Sequence, residues 1–315
     1  MGMALHLVVV FGSTALATSL VVGVAARCWR ERASRWTPLA QSRVSIAALS
    51  APLFLALLLV GAVALPHAWF GLPDHCLDHP GHLHLCIVHG APFPSVAIAI
   101  AGGGLIFFLG GRLALSVSAA LRGAVTGHRI VSLARREGDV WVLPGETPEA
   151  FTVGLLRPAV VVSAPVRAAD ERWRAVFAHE RAHAAGRHPL LRVIARVLGA
   201  FHWPAVSRRL TASLHDAQEL WADAEAARAL GSPVDVAETL VDWMRWRRAS
   251  PSGAVTFEAD PLGTRVRRLL DDTPPAAGLS LGAIALTACA AFVLVASAAP
   301  GLHHTVETAL GLLQN

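Results

Sequence analysis

A chain of 315 residues that is 54% hydrophobic and only 16% charged is too apolar for an ordinary soluble protein, so part of it must be solvated by lipid. Its 27 basic residues, all arginine, exceed 22 acids to give a formal +5, but they alternate with strongly apolar runs instead of gathering on one amphipathic face, which argues against nucleic-acid binding. Four cysteines are too few for a disulfide scaffold, and no segment has the composition of a disordered or collagenous chain.

Taken in order, four windows are long enough to cross a hydrocarbon core: residues 7–26, 44–65, 96–115 and 279–299. The first is an anchor rather than a cleaved signal, because no positive charge precedes it and Arg27, Arg30, Arg32, Arg35 and Arg43 follow. Those arginines place residues 27–43 in the cytoplasm. Residues 66–94 contain no arginine and carry Asp74 and Asp78, so they form an extracytoplasmic loop. The expected organisation is a membrane protein, mainly α. Transmembrane helices occupy residues 1–26, 44–65, 95–117 and 279–300, a cytoplasmic α+β domain occupies 118–278, and an extracytoplasmic tail occupies 301–315. Both termini then lie outside. Arg112, near the inner end of the third span, is expected to snorkel to the interface. The segment 190–203 (LLRVIARVLGAFHW) is apolar but too short to span and carries Arg192 and Arg196, so it reads as a buried or interfacial helix. Linkers are expected around residues 250–253 and 272–275.

In the outer loop, His75, Cys76, His79, His82, His84, Cys86 and His89 crowd together. A Cys76–Cys86 disulfide with solvated histidines and a metal-sensing site are the two readings of that composition, the disulfide being the plainer. Cys28 and Cys289 read as packing residues.

The cytoplasmic segment begins with strand-like runs at 139–143 (DVWVL), 151–153 and 159–163 (AVVVS), separated by Pro144-Gly145 and Arg157-Pro158, which predicts a small antiparallel sheet. A helix over 171–186 follows, with Asp170 as its N-cap. That helix contains His179-Glu180-Arg181-Ala182-His183, an H-E-x-x-H motif. Positions i and i+4 share a helix face, so both imidazoles can converge on one zinc, while Glu180 lies beside that face and can move the proton of an attacking water. Surface or core histidines are the bland alternative, and the setting of the motif on a helix after a sheet speaks against it.

A third ligand is needed. The metzincin pattern fails, because Pro189 stands where its last histidine belongs and Met1, Met3 and Met244 offer no Met-turn. A following helix carries Glu219 and Asp223, again i and i+4, so one carboxylate can bind metal while the other orients a ligand histidine. Glu219 ranks ahead of His188, His202, His215 and Glu225 on this face geometry.

The order of three spans, a cytoplasmic domain and a fourth span, with AFTVGLLRPAVVVS, AVFAHERAHAAGRHPLLRVIARVL, HW and ELWADAEA, resembles the BlaR/MecR family of membrane gluzincins and, more distantly, the HtpX-like peptidases. The segment 261–269 (PLGTRVRRL) is similar to one these families place after the zinc site. The resemblance implies one Zn2+ held by His179, His183 and Glu219, Glu180 as general base and Asp223 as support for a ligand. It also implies a zinc endopeptidase of the cell membrane that cleaves a cytoplasmic repressor of the BlaI type in signal transduction. The penicillin-binding sensor domain of the β-lactam receptors has no counterpart after the last span, and His188 stands where relatives often carry an acid. With no tyrosine in the chain, His202, His215 or a nearby arginine is expected to stabilise the oxyanion. Membrane-protein quality control of the HtpX kind and a non-enzymatic zinc-containing receptor or scaffold are the alternatives. The expected partners are a protein substrate and membrane lipid, without direct nucleic acid. A homodimer is compatible with this reading.

Overall fold

The computed structural model describes residues 2–64, 93–249, 261–271 and 273–314. The histidine- and cysteine-rich outer loop, with the expected Cys76–Cys86 pair, and the linker at 250–253 lie outside the described residues.

Helices α1 (Gly2–Ala33) and α2 (Pro38–Ala64) form an antiparallel hairpin. The hairpin is zipped by small and branched side chains, with Val10 meeting Val63 at one end and Val22 and Ala26 meeting Ala48 at the other. A third long helix runs as α3 (Val96–Leu105), a single π-helical turn (Ile106–Gly110) and α4 (Gly111–Leu133). Ser95 starts it, its hydroxyl accepting the Ile98 N–H. Four helices among the described residues are long and apolar enough to cross a membrane, which fits a multi-pass membrane protein. They outrun the apolar windows, since a helix has no reason to stop at the lipid boundary. The last helix, α11 (Leu281–Gln314), differs most from expectation. Its 34 residues make a rod about 51 Å long, so the tail expected after residue 300 continues the helix. There Val306 and Leu310 pack against Val10, Val63 and Ile98, and that burial keeps the last turns helical.

Between the third and fourth spans lies a four-stranded sheet: β1 (Arg135–Glu137), β2 (Val140–Leu143), β3 (Ala150–Val153) and β4 (Ala159–Ser163), in the order β1-β2-β4-β3. The sheet is mixed, correcting the antiparallel expectation. β4 inserts between β2 and β3, pairing parallel to β2 (Val140 opposite Val160) and antiparallel to β3 (Ala150 opposite Val162). The unbroken apolar run Val160-Val161-Val162 explains this, because such a run is satisfied only in the centre of a sheet covered on both faces. β3 is left as an edge. Gly154 closes the β3–β4 connection at φ +94, where an added Cβ would sit 2.6 Å from the Arg157 carbonyl oxygen, so only glycine fits.

A short helix α5 (Ala164–Ala168) leads to α6 (Arg174–Ala185). The expected N-cap at Asp170 is not used. Its carboxylate accepts from Arg167 at 2.5 Å, residues 170–173 form a turn, and the helix begins three residues later than expected. Val140, Val160, Val162, Val166, Val176 and Phe177 form the core between sheet and helix, closed by Trp173, which stacks on Trp246 at 4.9 Å. Next come α7 (His188–Leu198), a 3-10 turn (Gly199–Phe201), α8 (Pro204–Leu230), α9 (Pro233–Ala249) and α10 (Pro261–Leu269).

The segment 190–203 is a docked element. α7 buries Ala195 and packs Leu198 in a cluster with Ala48, Leu49, Leu210 and Leu214. The turn after it is threaded among the spans. Arg112 donates to the carbonyls of Gly199 and Ala200 at 2.7 and 3.1 Å, so this arginine binds protein where snorkelling was expected. The Trp203 indole donates to the Leu16 carbonyl at 3.1 Å.

Candidate metal centre

The centre is built on two facing helices. α6 presents His179 and His183, one turn apart, and α8 presents Glu219 and Asp223, also one turn apart. Apolar packing holds the helices at this distance, with Ala175 and Ala178 on one against Ala226 and Ala227 on the other. Such small side chains allow close approach. His179 and His183 are buried, while Glu219 keeps 29% of its side chain exposed. The centre is therefore open to solvent on its carboxylate side.

His179 Nε2 and His183 Nε2 are 3.0 Å apart, and Glu219 places Oε2 3.4 Å from the first and Oε1 3.4 Å from the second. Ligands at about 2.0–2.1 Å around a tetrahedral zinc lie about 3.3 Å from one another, and here the two imidazole nitrogens are 3.0 Å apart with a different Glu219 oxygen 3.4 Å from each, so one ligand atom from each residue lies within 4.8 Å of the others. Two imidazole nitrogens and one carboxylate oxygen are also a donor set that zinc accepts, leaving a fourth position open. These are the residues that form a possible metal-binding triad among the described residues.

Around them the charges are paired. Asp223 Oδ1 lies 2.8 Å from His179 Nδ1. Arg265, from α10, donates through Nε and Nη2 to both oxygens of Asp223 at 2.7 Å, and its Nη1 is 3.4 Å from Glu219. Arg192, from α7, donates to Glu219 Oε1 at 2.8 Å and to Gln218 Oε1 at 2.8 Å. Burial alone would push the His179 imidazole down, but the Asp223 and Glu219 carboxylates outweigh it and carry the value up to about 9. Burial likewise opposes ionisation of Glu219 and Asp223. The imidazoles and Arg265 reverse that for Glu219, as Arg265 and His179 do for Asp223, and both carboxyls stay well below the usual range. The Asp223 and Glu219 carboxylates thus favour the protonated form of the His179 imidazole.

Glu180 is half-buried beside His179, and its Oε2 accepts a hydrogen bond from the Thr152 hydroxyl of β3 at 2.8 Å, while its backbone carbonyl lies at the same distance from that hydroxyl. The edge strand therefore touches the residue expected to move the proton.

Of the other candidates, His215 lies one turn before Glu219 on α8 and is exposed at the rim. His202 is elsewhere, with Nδ1 3.1 Å from Ser19 Oγ and Nε2 3.2 Å from the Leu49 carbonyl, among the spans. Glu225 pairs with Arg228 on the outer face of α8. His188 is buried against His183, with Nδ1 2.6 Å from Nδ1, and burial followed by the nearby His183 brings its value down to about 3. Sequence reasoning did not assign Thr152, Arg192 or Arg265. The AFTVG and PLGTRVRRL segments were the only signals for two of them.

Residues 130–217 match the family model described as Peptidase family M48. The match begins at the end of α4, covers the sheet, α6 and α7, and stops two residues before Glu219, so it spans less than a third of the chain. No curated protein and no solved structure matches the chain. Peptidases of this family are generally zinc-dependent, and the match together with the triad supports a metallopeptidase domain of the M48 type joined to membrane-spanning helices.

Proposed function

We propose that the chain is an integral membrane zinc-dependent endopeptidase in which His179, His183 and Glu219 hold the metal and Glu180 is the general base. The observation that carries this reading is the convergence of two imidazoles and one carboxylate from two helices, with one ligand atom from each within 4.8 Å of the others and Glu180 adjacent. Zinc held there supplies Lewis-acid polarisation of a scissile carbonyl and makes a water more acidic. Glu180 Oε2 takes the proton of the attacking water and passes it to the leaving amine, and Thr152 keeps that carboxylate in place. Asp223 orients His179 through Nδ1. His215 donates to the developing oxyanion from the rim. The free edge of β3 accepts an extended substrate backbone, so side chains need supply only part of the binding.

The zinc domain is cytoplasmic and both termini are outside. Supporting this, Arg27 and Arg30 at the end of α1 line the same cavity as Arg209 of α8, so the arginine-rich hairpin end and the zinc domain lie on one side. The substrate is a cytoplasmic protein. Following the resemblance, it is a transcriptional repressor of the BlaI type, and the protease relays a signal. A second reading, quality control of membrane proteins, is favoured by one feature: the turn at 199–201 and α7 dock directly on the spans, which keeps the site near the bilayer.

Substrate trapping on Glu180→Gln tests these points together. The variant should keep zinc and lose turnover by about 10²–10⁴-fold. Mass spectrometry of the trapped proteins should then show a soluble cytoplasmic repressor. Membrane proteins in the trap would favour quality control, and extracytoplasmic ones would overturn the orientation. Identical behaviour of wild type and variant in cells would sink the enzyme reading.

A further inference from the structure

Behind His183 stands a side chain that the proposed chemistry does not use. His183 Nδ1 and His188 Nδ1 are 2.6 Å apart, with ring centroids 4.8 Å apart and planes at 72°. Two N–H groups cannot face each other at that separation, so one nitrogen donates and the other accepts. His183 Nε2 is the atom turned toward His179 Nε2 and Glu219, and it can bind a metal only through a lone pair. A His183 that binds metal through Nε2 carries its proton on Nδ1, which leaves His188 Nδ1 as the acceptor. His179 is treated differently, since its Nδ1 faces the Asp223 carboxylate at 2.8 Å.

The local backbone is shaped to bring His188 there. Arg187 is the one described non-glycine residue with positive φ, at 49°, and it turns the chain back under α6 before Pro189 opens α7. At Gly186 an added Cβ would lie 2.6 Å from His188 Nε2 and 3.0 Å from Trp221 Cζ3. The glycine is needed for room, and the Trp221 ring packs on His188 with centroids 5.1 Å apart and planes at 66°. His188 is 5% exposed.

We infer that His188 is a positioning residue that accepts the His183 Nδ1–H, so that this chain orients its two metal-binding imidazoles by unlike partners, a carboxylate on His179 and an imidazole on His183. The inference rests on the metallopeptidase reading and deepens it. It removes His188 from the rival third ligands, because the nitrogen nearest the centre is already engaged. A carboxylate acceptor raises the basicity of a ligand histidine more than a neutral acceptor does, so His183 is the weaker donor of the pair.

The test uses the full chain in detergent, with zinc affinity measured by competition against a chromophoric chelator and the His183 tautomer read from imidazole 15N shifts. His188→Leu, which has no acceptor, should weaken zinc binding about 10–100-fold and free the His183 tautomer. His188→Asn retains an acceptor oxygen and should stay within about tenfold of wild type. His188→Asp should bind zinc at least as tightly as wild type. Wild-type affinity in a folded His188→Leu protein overturns the inference, as does a wild-type spectrum with the His183 proton on Nε2. The spectrum decides the matter even if the leucine variant does not fold. Failure of wild type to bind zinc would defeat the metallopeptidase reading instead, and the tautomer in the metal-free protein would still report on His188.

Discussion

At the scale of single residues, the centre is set up by acceptors placed behind donors. The Asp223 and Glu219 carboxylates raise the His179 imidazole to about 9, so on the proposed metallopeptidase reading a metal would displace a proton there. Near neutral pH, zinc binding should therefore release about one proton per metal, seen by calorimetry in buffers of different ionisation enthalpy. Binding with no proton release would contradict the raised His179 value. The two histidines and the glutamate between them were legible in the sequence because H-E-x-x-H has a fixed helical meaning. Thr152 was not, since a threonine in a strand is ordinarily just a β-branched residue, and only pairing in the sheet brings it to Glu180.

At the scale of elements, α6 and α8 are antennae for the site, and α10 locks them. Arg265 of α10 forms a two-pronged bond to Asp223, whose side chain is 1% exposed. Removing one partner of such a pair leaves a buried carboxylate uncompensated, so Arg265→Met should cost about 3–5 kcal/mol in thermal or denaturant unfolding. Adding Asp223→Asn should recover part of that loss, and simple additivity of the two changes would show that the pair is not coupled. The pairing of Glu219 with Asp223 at helical spacing announced a carboxylate helix. Its partner arginine, more than forty residues later, could not be placed, because nothing local ties α10 to α8. The order of strands was hidden for the same reason. The run of three valines marks a central strand, but whether β4 pairs with β2 or only with β3 depends on how residues 144–149 route the chain.

At the scale of the whole molecule, the domain that carries the candidate centre is clamped to the spans through the segment between its two halves. The Gly199 and Ala200 carbonyls at the end of α7 are taken by Arg112 from the third span, while His202 and Trp203 reach α1 and α2. Positive charge at a helix C-terminus is favourable, and unpaired carbonyls at that depth are costly. Arg112→Leu should lower stability by about 1–3 kcal/mol, read as a lower unfolding temperature in detergent. An unchanged transition would show that the guanidinium does not bind there. α7 thus touches both the spans and the centre, through Leu198 on one side and through Arg192 on Glu219 and His188 on His183 on the other.

The sequence by itself determined what local rules control: apolar windows of membrane length, and i, i+4 pairs that must share a helix face. Those features depend on spacing along one element, which no tertiary arrangement can alter. Tertiary structure alone decided which face met which. It set the mixed order of the sheet, the contact of Thr152 with Glu180, the engagement of Arg265 and Arg112, and the turning of His188 behind His183 while His202 went to the spans. Each is a pairing between distant segments, fixed by packing and by the cost of leaving buried polar groups without partners.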